Sequence, residues 1–122
     1  MAISRVSYAI ARQDETPIYY RLTEPDQITG VPVVLTDGIG CDGYVWKYLR
    51  AELEPSRRLL HWHYRGHGRT PKPRDPKHIA IADHAQDLVC VLDDTETDSA
   101  VLCSHSMGVQ VALECYRQFP DR

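Results

Sequence analysis

One stretch of the sequence, residues 101–109, constrains the fold more than any other. An apolar run ends at Ser104, a helix-type pattern begins at Met107, and Ser106 lies on the corner between them. A strand that turns abruptly into a helix leaves its corner side chain free, and the positive end of the helix dipole faces whatever that side chain meets. So tight a corner needs small residues two positions before and after it, and here they are Ser104 and Gly108. The stretch therefore predicts a strand–turn–helix unit with a serine at its bend.

The composition is typical of one globular domain. The chain has 122 residues, of which 43% are hydrophobic and 25% are charged, and its formal net charge is -3. No basic block accumulates, which argues against nucleic acid as a partner. No apolar stretch is long enough to cross a bilayer and no secretory signal is evident, so we expect a cytoplasmic protein. The four cysteines are irregularly spaced, and we expect reduced, mostly buried thiols rather than disulfides or a metal site.

Strand and helix patterns alternate along most of the chain. Strand-like runs occur at residues 5–10, 18–22, 31–36, 58–63 and 100–103. Helical periodicity occurs at residues 46–53, 79–93 and 109–116. This alternation predicts an α/β fold, a three-layer sandwich around a mostly parallel sheet with an N-terminal antiparallel hairpin. We predict one apolar face on the last helix, made by Val109, Ala112, Leu113 and Tyr116.

The glycine-rich loop Gly38-x-Gly40-x-x-Gly43 allows two interpretations. It follows a strand and opens a helix, which is the context of a dinucleotide-binding fingerprint, and Arg65 could in principle bind the 2′-phosphate of NADP. Against that interpretation, no Asp or Glu ends the next strand to hold a ribose hydroxyl, and the helix opens with bulky residues. An NADP-binding Rossmann-type domain stays open as an alternative.

The second interpretation joins this loop to the corner serine. An acyl-transfer enzyme needs backbone N–H groups aimed at the oxygen that becomes negative in the tetrahedral intermediate. Met107, directly after Ser106, supplies one N–H, and Ile39, which lies between two glycines, is placed to supply the other. The candidate catalytic residues are therefore Ser106, Met107 and Ile39, and this chemistry needs no metal and no organic cofactor.

The histidines, and the acidic residues of the helix over residues 79–93, are expected to have structural rather than catalytic roles. His61 and His63 alternate on one face of a strand, but without a third ligand nearby they are interpreted as core histidines rather than a metal pair. His67 belongs to a tight Arg-Gly-His-Gly turn and is interpreted as a turn residue. We place His84 and Asp87 on the exposed side of the helix over residues 79–93.

Three motifs, in this order, resemble the α/β-hydrolase superfamily, in the branch of serine esterases, haloperoxidase-like perhydrolases and lipases. Residues 35–40 with Trp46 resemble its strand and His-Gly oxyanion loop, residues 63–70 its Asp-x-Arg-Gly-His-Gly-x-Ser turn, and residues 104–108 its Gly-His-Ser-Met-Gly nucleophile elbow. The sequence departs from the family pattern at three positions. Asp37 stands where the family usually has His, His63 where it often has Asp, and Ser104 where it has the first glycine of the elbow.

The resemblance implies a serine hydrolase that acts on a small-molecule ester or related acyl substrate. In the family, the acid and the general-base histidine follow the nucleophile in the order Ser…Asp/Glu…His. No histidine follows Ser106 in this sequence. We therefore expect residues 1–122 to be the N-terminal part of a single, truncated α/β-hydrolase domain without the lid and C-terminal strands, and with little or no activity alone. A non-catalytic fragment is the other alternative, and the sequence indicates no particular oligomeric state.

Overall fold

The fold is a mixed sheet with helices on both of its faces. A computed structural model describes residues 3–122. Over these residues the strands are β1 (Ile3–Ile10), β2 (Pro17–Glu24), β3 (Val33–Thr36), β4 (Leu59–Trp62) and β5 (Val101–Ser104). The helices are α1 (Lys47–Leu53), which follows a 3-10 turn at Tyr44–Trp46, α2 (Ile81–Asp94) and α3 (Met107–Gln118).

The strands lie in the order β1-β2-β4-β3-β5. β1 and β2 form the predicted antiparallel hairpin, and β2 also pairs antiparallel with β4. β3 lies between β4 and β5 and is parallel to both. Because parallel neighbours present their carboxyl ends at one edge, the loops that follow β3, β4 and β5 meet there.

Alternate residues of β3 face two separate hydrophobic clusters. Val34 belongs to the larger cluster, together with Leu60 of β4 and Leu88 of α2. Val33 and Leu35 belong to the smaller cluster, which Trp46, Leu59 and the helix α1 complete. The sheet thus has α2 and α3 on one face and α1 on the other, which confirms the predicted three-layer α/β architecture.

The buried face of α3 differs from the predicted one. The helix packs on the sheet through Gly108, Val111 and Cys115. Leu113 and Tyr116, which the sequence places on the apolar face, are 65% and 67% exposed. Two apolar stripes run along α3, and β5 is the outer strand over residues 3–122, so only the stripe above the sheet is covered.

Two further expectations concern membranes and cysteines. No helix within residues 3–122 has both the length and the apolar character needed to span a bilayer. All four cysteines are free thiols, and Cys90 and Cys115 are buried. Burial is thus confirmed for these two cysteines, and their reduced state stays a prediction.

Candidate active site

Ser106 occupies the corner between β5 and α3. Its backbone has φ 54° and ψ -118°, and it is the residue that precedes the first turn of α3. This combination corresponds to the first central position of a type II′ turn, which glycine normally fills. The side chain is exposed. The chain therefore holds a non-glycine residue in a strained conformation and presents its hydroxyl outward.

Gly108 explains why the corner needs a small residue on its helical side. A Cβ atom placed on Gly108 would lie 2.4 Å from the carbonyl oxygen of Thr36 and 2.8 Å from that of Asp37. The His105 N–H also donates to the Thr36 carbonyl oxygen at 3.1 Å. The first turn of α3 thus lies directly on the end of β3.

The strand side of the corner carries Ser104 in place of the family's glycine. Ser104 is half-buried in β5, which pairs with β3 through Thr36. Its hydroxyl oxygen is buried and has no hydrogen-bond partner among the described residues. The substitution fits the strand sterically, as predicted, at the cost of one unsatisfied polar atom.

The glycine-rich loop after β3 contacts the corner. A Cβ atom placed on Gly38 would lie 3.3 Å from Ser106 Cβ and 3.0 Å from His105 Nδ1. Gly40 has φ 72°, so the loop turns through a left-handed residue immediately after Ile39. The structure therefore brings the loop and Ser106 together, and the absence of a side chain at position 38 permits this approach.

The backbone N–H groups of Met107 and Ile39 are unsatisfied among residues 3–122. Met107 is the first residue of α3, so no carbonyl of its own helix lies one turn before it. Among residues 3–122, neither the Met107 nor the Ile39 N–H donates a hydrogen bond. The Met107 side chain packs against the larger core cluster, whereas the Ile39 side chain is 70% exposed. The two groups are free to bind a ligand oxygen.

Asp37 lies in surroundings that the sequence did not indicate. It is buried, and its carboxylate accepts from the Trp46 indole N–H at 2.6 Å and lies 3.0 Å from His61 Nε2. Because an ionised carboxylate only accepts, His61 presents its Nε2–H to it. Asp37 therefore pairs with His61 and not with His63, the position at which the family often has its carboxylate. The signal in the sequence is an acidic residue between a buried strand and a glycine, a position at which a carboxylate needs hydrogen-bond donors.

His63 has a different partner. The Arg69 N–H donates to His63 Nδ1 at 3.0 Å, and the Thr70 hydroxyl donates to the His63 carbonyl oxygen. Burial and then the neighbouring His61 lower the pKa of His63, so its imidazole is neutral. His63 holds the tight turn after β4.

Within residues 3–122, no group of three or more His, Cys, Asp or Glu side chains is arranged to hold a metal ion.

Arg65 is committed to a buried ion-pair cluster. Its guanidinium donates to Asp14 at 3.0 Å and to Asp87 at 2.7 Å, and Asp87 is fully buried. The placement of Asp87 on an exposed helix face was therefore wrong. Burial raises the pKa of Asp87 to about 6 in spite of Arg65. Arg65 is not free to bind a 2′-phosphate, which removes the residue on which the NADP alternative depended.

His84 was also placed wrongly, since it is 7% exposed. Its ring packs on Tyr64, with centroids 4.7 Å apart, on the side of α2 that faces the tight turn. Its Nδ1 has no partner among the described residues. Burial, and then the Arg65 charge, lower the pKa of His84 to about 4. The ring is a neutral core histidine.

A groove of about 480 Å³ opens beside the loop. It is lined by Cys41, Asp42, Tyr44, Val45, Lys47 and Tyr48. Cys41 links this groove to the corner, because its Sγ lies 3.4 Å from a Cβ placed on Gly38. The lining of the groove is mostly apolar.

Comparison with known proteins identifies the family. The family model of the alpha/beta hydrolase fold matches residues 31–122. The chain therefore belongs to the alpha/beta hydrolase fold family, which confirms the resemblance inferred from the three motifs.

Relatives and solved structures agree with this assignment. A putative carbamate hydrolase, RutD, of Variovorax paradoxus (strain S110) is 36% identical over 107 residues, which are 87% of this chain and 39% of that protein. The enol-lactonase from Burkholderia xenovorans LB400 matches with a TM-score of 0.79 and 27% identity, over 94% of this chain and 43% of that one. An N-acyl homoserine lactone degrading enzyme matches with a TM-score of 0.78 and 29% identity, over 92% of this chain and 41% of that one. The chain spans about two fifths of the length of the first of these relatives.

Proposed function

We propose that this chain carries the nucleophile and the oxyanion hole of a serine hydrolase that cleaves a small-molecule ester or related acyl compound. The observation that carries the proposal is the contact between Gly38 and the exposed, strained Ser106, together with the unsatisfied N–H groups of Ile39 and Met107, the residues that follow Gly38 and Ser106 in the sequence. Such preorganised donors are effective because they stabilise charge that develops only in the transition state.

The reaction has two steps. Ser106 Oγ attacks the substrate carbonyl carbon as its proton passes to a general base, and the carbonyl oxygen becomes an anion that accepts from the Ile39 and Met107 N–H groups. The carbon–leaving-group bond then breaks, and the leaving group takes the proton. Water hydrolyses the resulting acyl-serine by the same sequence and returns the free hydroxyl.

The comparison proteins support the proposed substrate class. The matching solved structures include an enol-lactonase and an N-acyl homoserine lactone degrading enzyme, and the relative from Variovorax paradoxus is a putative carbamate hydrolase. Lactones, esters and carbamates all offer a carbonyl carbon bonded to a leaving heteroatom. We extend this shared feature, and not any one substrate, to the present chain.

We assign the general base and its orienting acid to the part of the domain that the relatives have beyond the region matched here. His105 adjoins Ser106, but its Nδ1 points to Gly38 and its ring packs edge-on against Trp46. Residues 107–122 contain no histidine. Residues 1–122 alone are therefore proposed to be the N-terminal part of one hydrolase domain and to turn over little or no ester.

The direct test is hydrolysis of p-nitrophenyl esters by the longest natural form of the chain. We expect S106A to reduce kcat to near background, on the order of a 10⁴-fold loss or more. S104A is the matched control, because Ser104 belongs to the same motif but is half-buried in β5. S104A should keep activity within a few-fold of the parent.

Two outcomes would contradict the proposal. Equal activity of S106A and the parent would exclude Ser106 as nucleophile. If residues 1–122 hydrolyse the ester as fast as the longest natural form, the assignment of the base and acid outside this region is wrong.

A further inference from the structure

We propose that Asp37 is a positioning residue for this site: its carboxylate and its carbonyl oxygen hold residues 38–40 against Ser106, so that the Ile39 N–H meets the substrate oxygen. The inference rests on the proposed function for the substrate contact, but the holding role stands on the structure alone. Asp37 itself does not touch substrate, since its side chain is 2% exposed.

The side chain of Asp37 anchors both ends of the loop. The loop leaves β3 at Asp37 and enters α1 through Trp46, whose indole N–H donates to the Asp37 carboxylate at 2.6 Å. His61 Nε2 lies 3.0 Å from the same carboxylate. A Cβ atom placed on Gly43 would lie 2.5 Å from His61 Cε1. The last glycine of the loop therefore packs directly on the imidazole that Asp37 binds. The Asp37 carboxylate and the His61 imidazole thus connect the start of the loop to its end.

The backbone of Asp37 connects this closure to the corner. Its carbonyl oxygen accepts a short hydrogen bond from the Tyr64 hydroxyl and lies against Gly108 of α3. Burial and then the nearby Asp37 charge raise the pKa of Tyr64, so that its hydroxyl remains protonated and donates. Residue 37 thus contacts the sheet core, the loop and the elbow at once.

The buried hydrogen bonds of the Asp37 side chain restrict the movement of the loop. A buried carboxylate is tolerated only where donors satisfy it, and the strongest hydrogen bonds in proteins are those to ionised acceptors. Any movement of Trp46 or His61 away from the carboxylate would leave a buried charge unsatisfied. The loop therefore has one favoured position, as an oxyanion hole requires.

The holding role is tested by NMR on the longest natural form of the chain. The two indole N–H groups provide an internal comparison, because Trp46 donates to Asp37 and Trp62 donates to the Thr36 hydroxyl at 3.1 Å. In D37A we expect the Trp46 indole proton to shift upfield while that of Trp62 stays. Backbone order parameters at Ile39 and Gly40 should fall from rigid values of about 0.85 to about 0.6 or below. D37N, which keeps an acceptor for Trp46, should retain most of the order.

The catalytic consequence is tested with the longest natural form. We expect D37A to reduce kcat by on the order of 10- to 100-fold with KM changed by less than about threefold, because the loop is displaced rather than the binding groove removed. D37N should recover most of kcat. E52Q, which changes an exposed acid of α1 outside the groove, should behave as the parent.

The outcomes separate this proposal from the proposed function. Unchanged order parameters and an unchanged Trp46 resonance in D37A would overturn the holding role, and unchanged kcat would overturn the catalytic one. If D37A does not fold, W46F removes one donor and keeps the acid, and rigid Ile39 and Gly40 in W46F would overturn the proposal equally. Activity that survives S106A would refute the serine mechanism while the NMR comparison still decides the role of Asp37.

Discussion

At Ser106 the backbone adopts a conformation that side chains ordinarily avoid. The values φ 54° and ψ -118° are accessible to glycine without strain and cost other residues about 1–3 kcal/mol. The chain carries this cost at the residue whose hydroxyl we propose to react. Backbone strain at an exposed residue does not stabilise the fold, and such strain is typical of functional sites.

This strain yields a prediction about stability. S106G and S106A both delete the hydroxyl, but only glycine relieves the backbone. We expect the free energy of unfolding of S106G to exceed that of S106A by about 1 kcal/mol or more, after allowance for the entropy that glycine gains in the unfolded chain. Urea denaturation of both variants measures the difference. A less stable S106G would show that the corner is not strained.

His84 yields a prediction about pH. Its pKa in the folded chain is about 4, below the ordinary 6.5, because of burial and then the Arg65 charge. As the pH falls from 6.5 to 4, the unfolded chain binds this proton first, so the free energy of unfolding decreases over that window by up to about 3 kcal/mol.

The matched variant is H84Q, which does not titrate. The free energy of unfolding of the parent minus that of H84Q isolates the contribution of the histidine from that of Asp87. The raised pKa of Asp87 has the opposite effect on stability. Urea denaturation at pH 7, 5.5 and 4 provides the values. A difference that does not change with pH would contradict the assignment of a neutral, buried His84.

At the scale of elements, three segments are joined by one guanidinium. Arg65 follows β4, Asp14 lies in the hairpin turn before β2, and Asp87 belongs to α2. Burial opposes ionisation of Asp14, but its hydrogen bonds from Arg65 and neighbouring groups lower its pKa overall. The tight turn after β4 is thus fixed to the hairpin and to the longest helix.

Removal of that guanidinium should therefore destabilise the fold strongly. R65M keeps much of the side-chain volume but leaves two buried carboxylates without their partner, and we expect a loss of about 3–5 kcal/mol at pH 7. R117M, which deletes an exposed ion pair with Glu114, is the control and should cost far less stability than R65M, because solvent screens an exposed pair. Similar losses in the two variants, measured by thermal and urea denaturation, would contradict this account.

The elements also show what the sequence reveals and what it does not. The corner at Ser106 and its small neighbours were predictable because that geometry is local, contained in five consecutive residues. The burial of Asp87 was not, because its partner Arg65 lies 22 positions away and helical periodicity treats any charged residue as exposed. The pairing of Asp37 with His61 is likewise non-local, since it depends on the register between β3 and β4.

The buried face of α3 illustrates the same limit. Its sequence contains two apolar stripes, and periodicity alone cannot state which one meets the sheet. The packed stripe, with Val111 and Cys115, follows from the contact of Gly108 with the end of β3. The angle at which α3 leaves the corner therefore selects its buried face.

At the scale of the whole molecule, the sheet has an apolar outer edge. Over residues 3–122, β5 is an outer strand, Val101 is 53% exposed, and Leu113 and Tyr116 project from the neighbouring helix. Exposed strand edges and contiguous apolar surface promote association. We expect the 122-residue chain to self-associate as its concentration rises.

Light scattering coupled to size-exclusion chromatography measures this. The mass of the 122-residue chain should exceed that of one copy at micromolar concentrations, and the triple variant V101K/L113K/Y116K should shift it toward one copy. A chain that remains monomeric at high concentration would show that this surface does not mediate self-association.

We propose that Ser106 is a nucleophile activated at a strand–helix corner. Labelling of the longest natural form with a fluorophosphonate, followed by mass spectrometry of the peptides, tests this role. We expect one adduct, on Ser106, that is absent from S106A, with Ser104 unlabelled. An adduct on another residue, or no labelling of a folded protein, would contradict it.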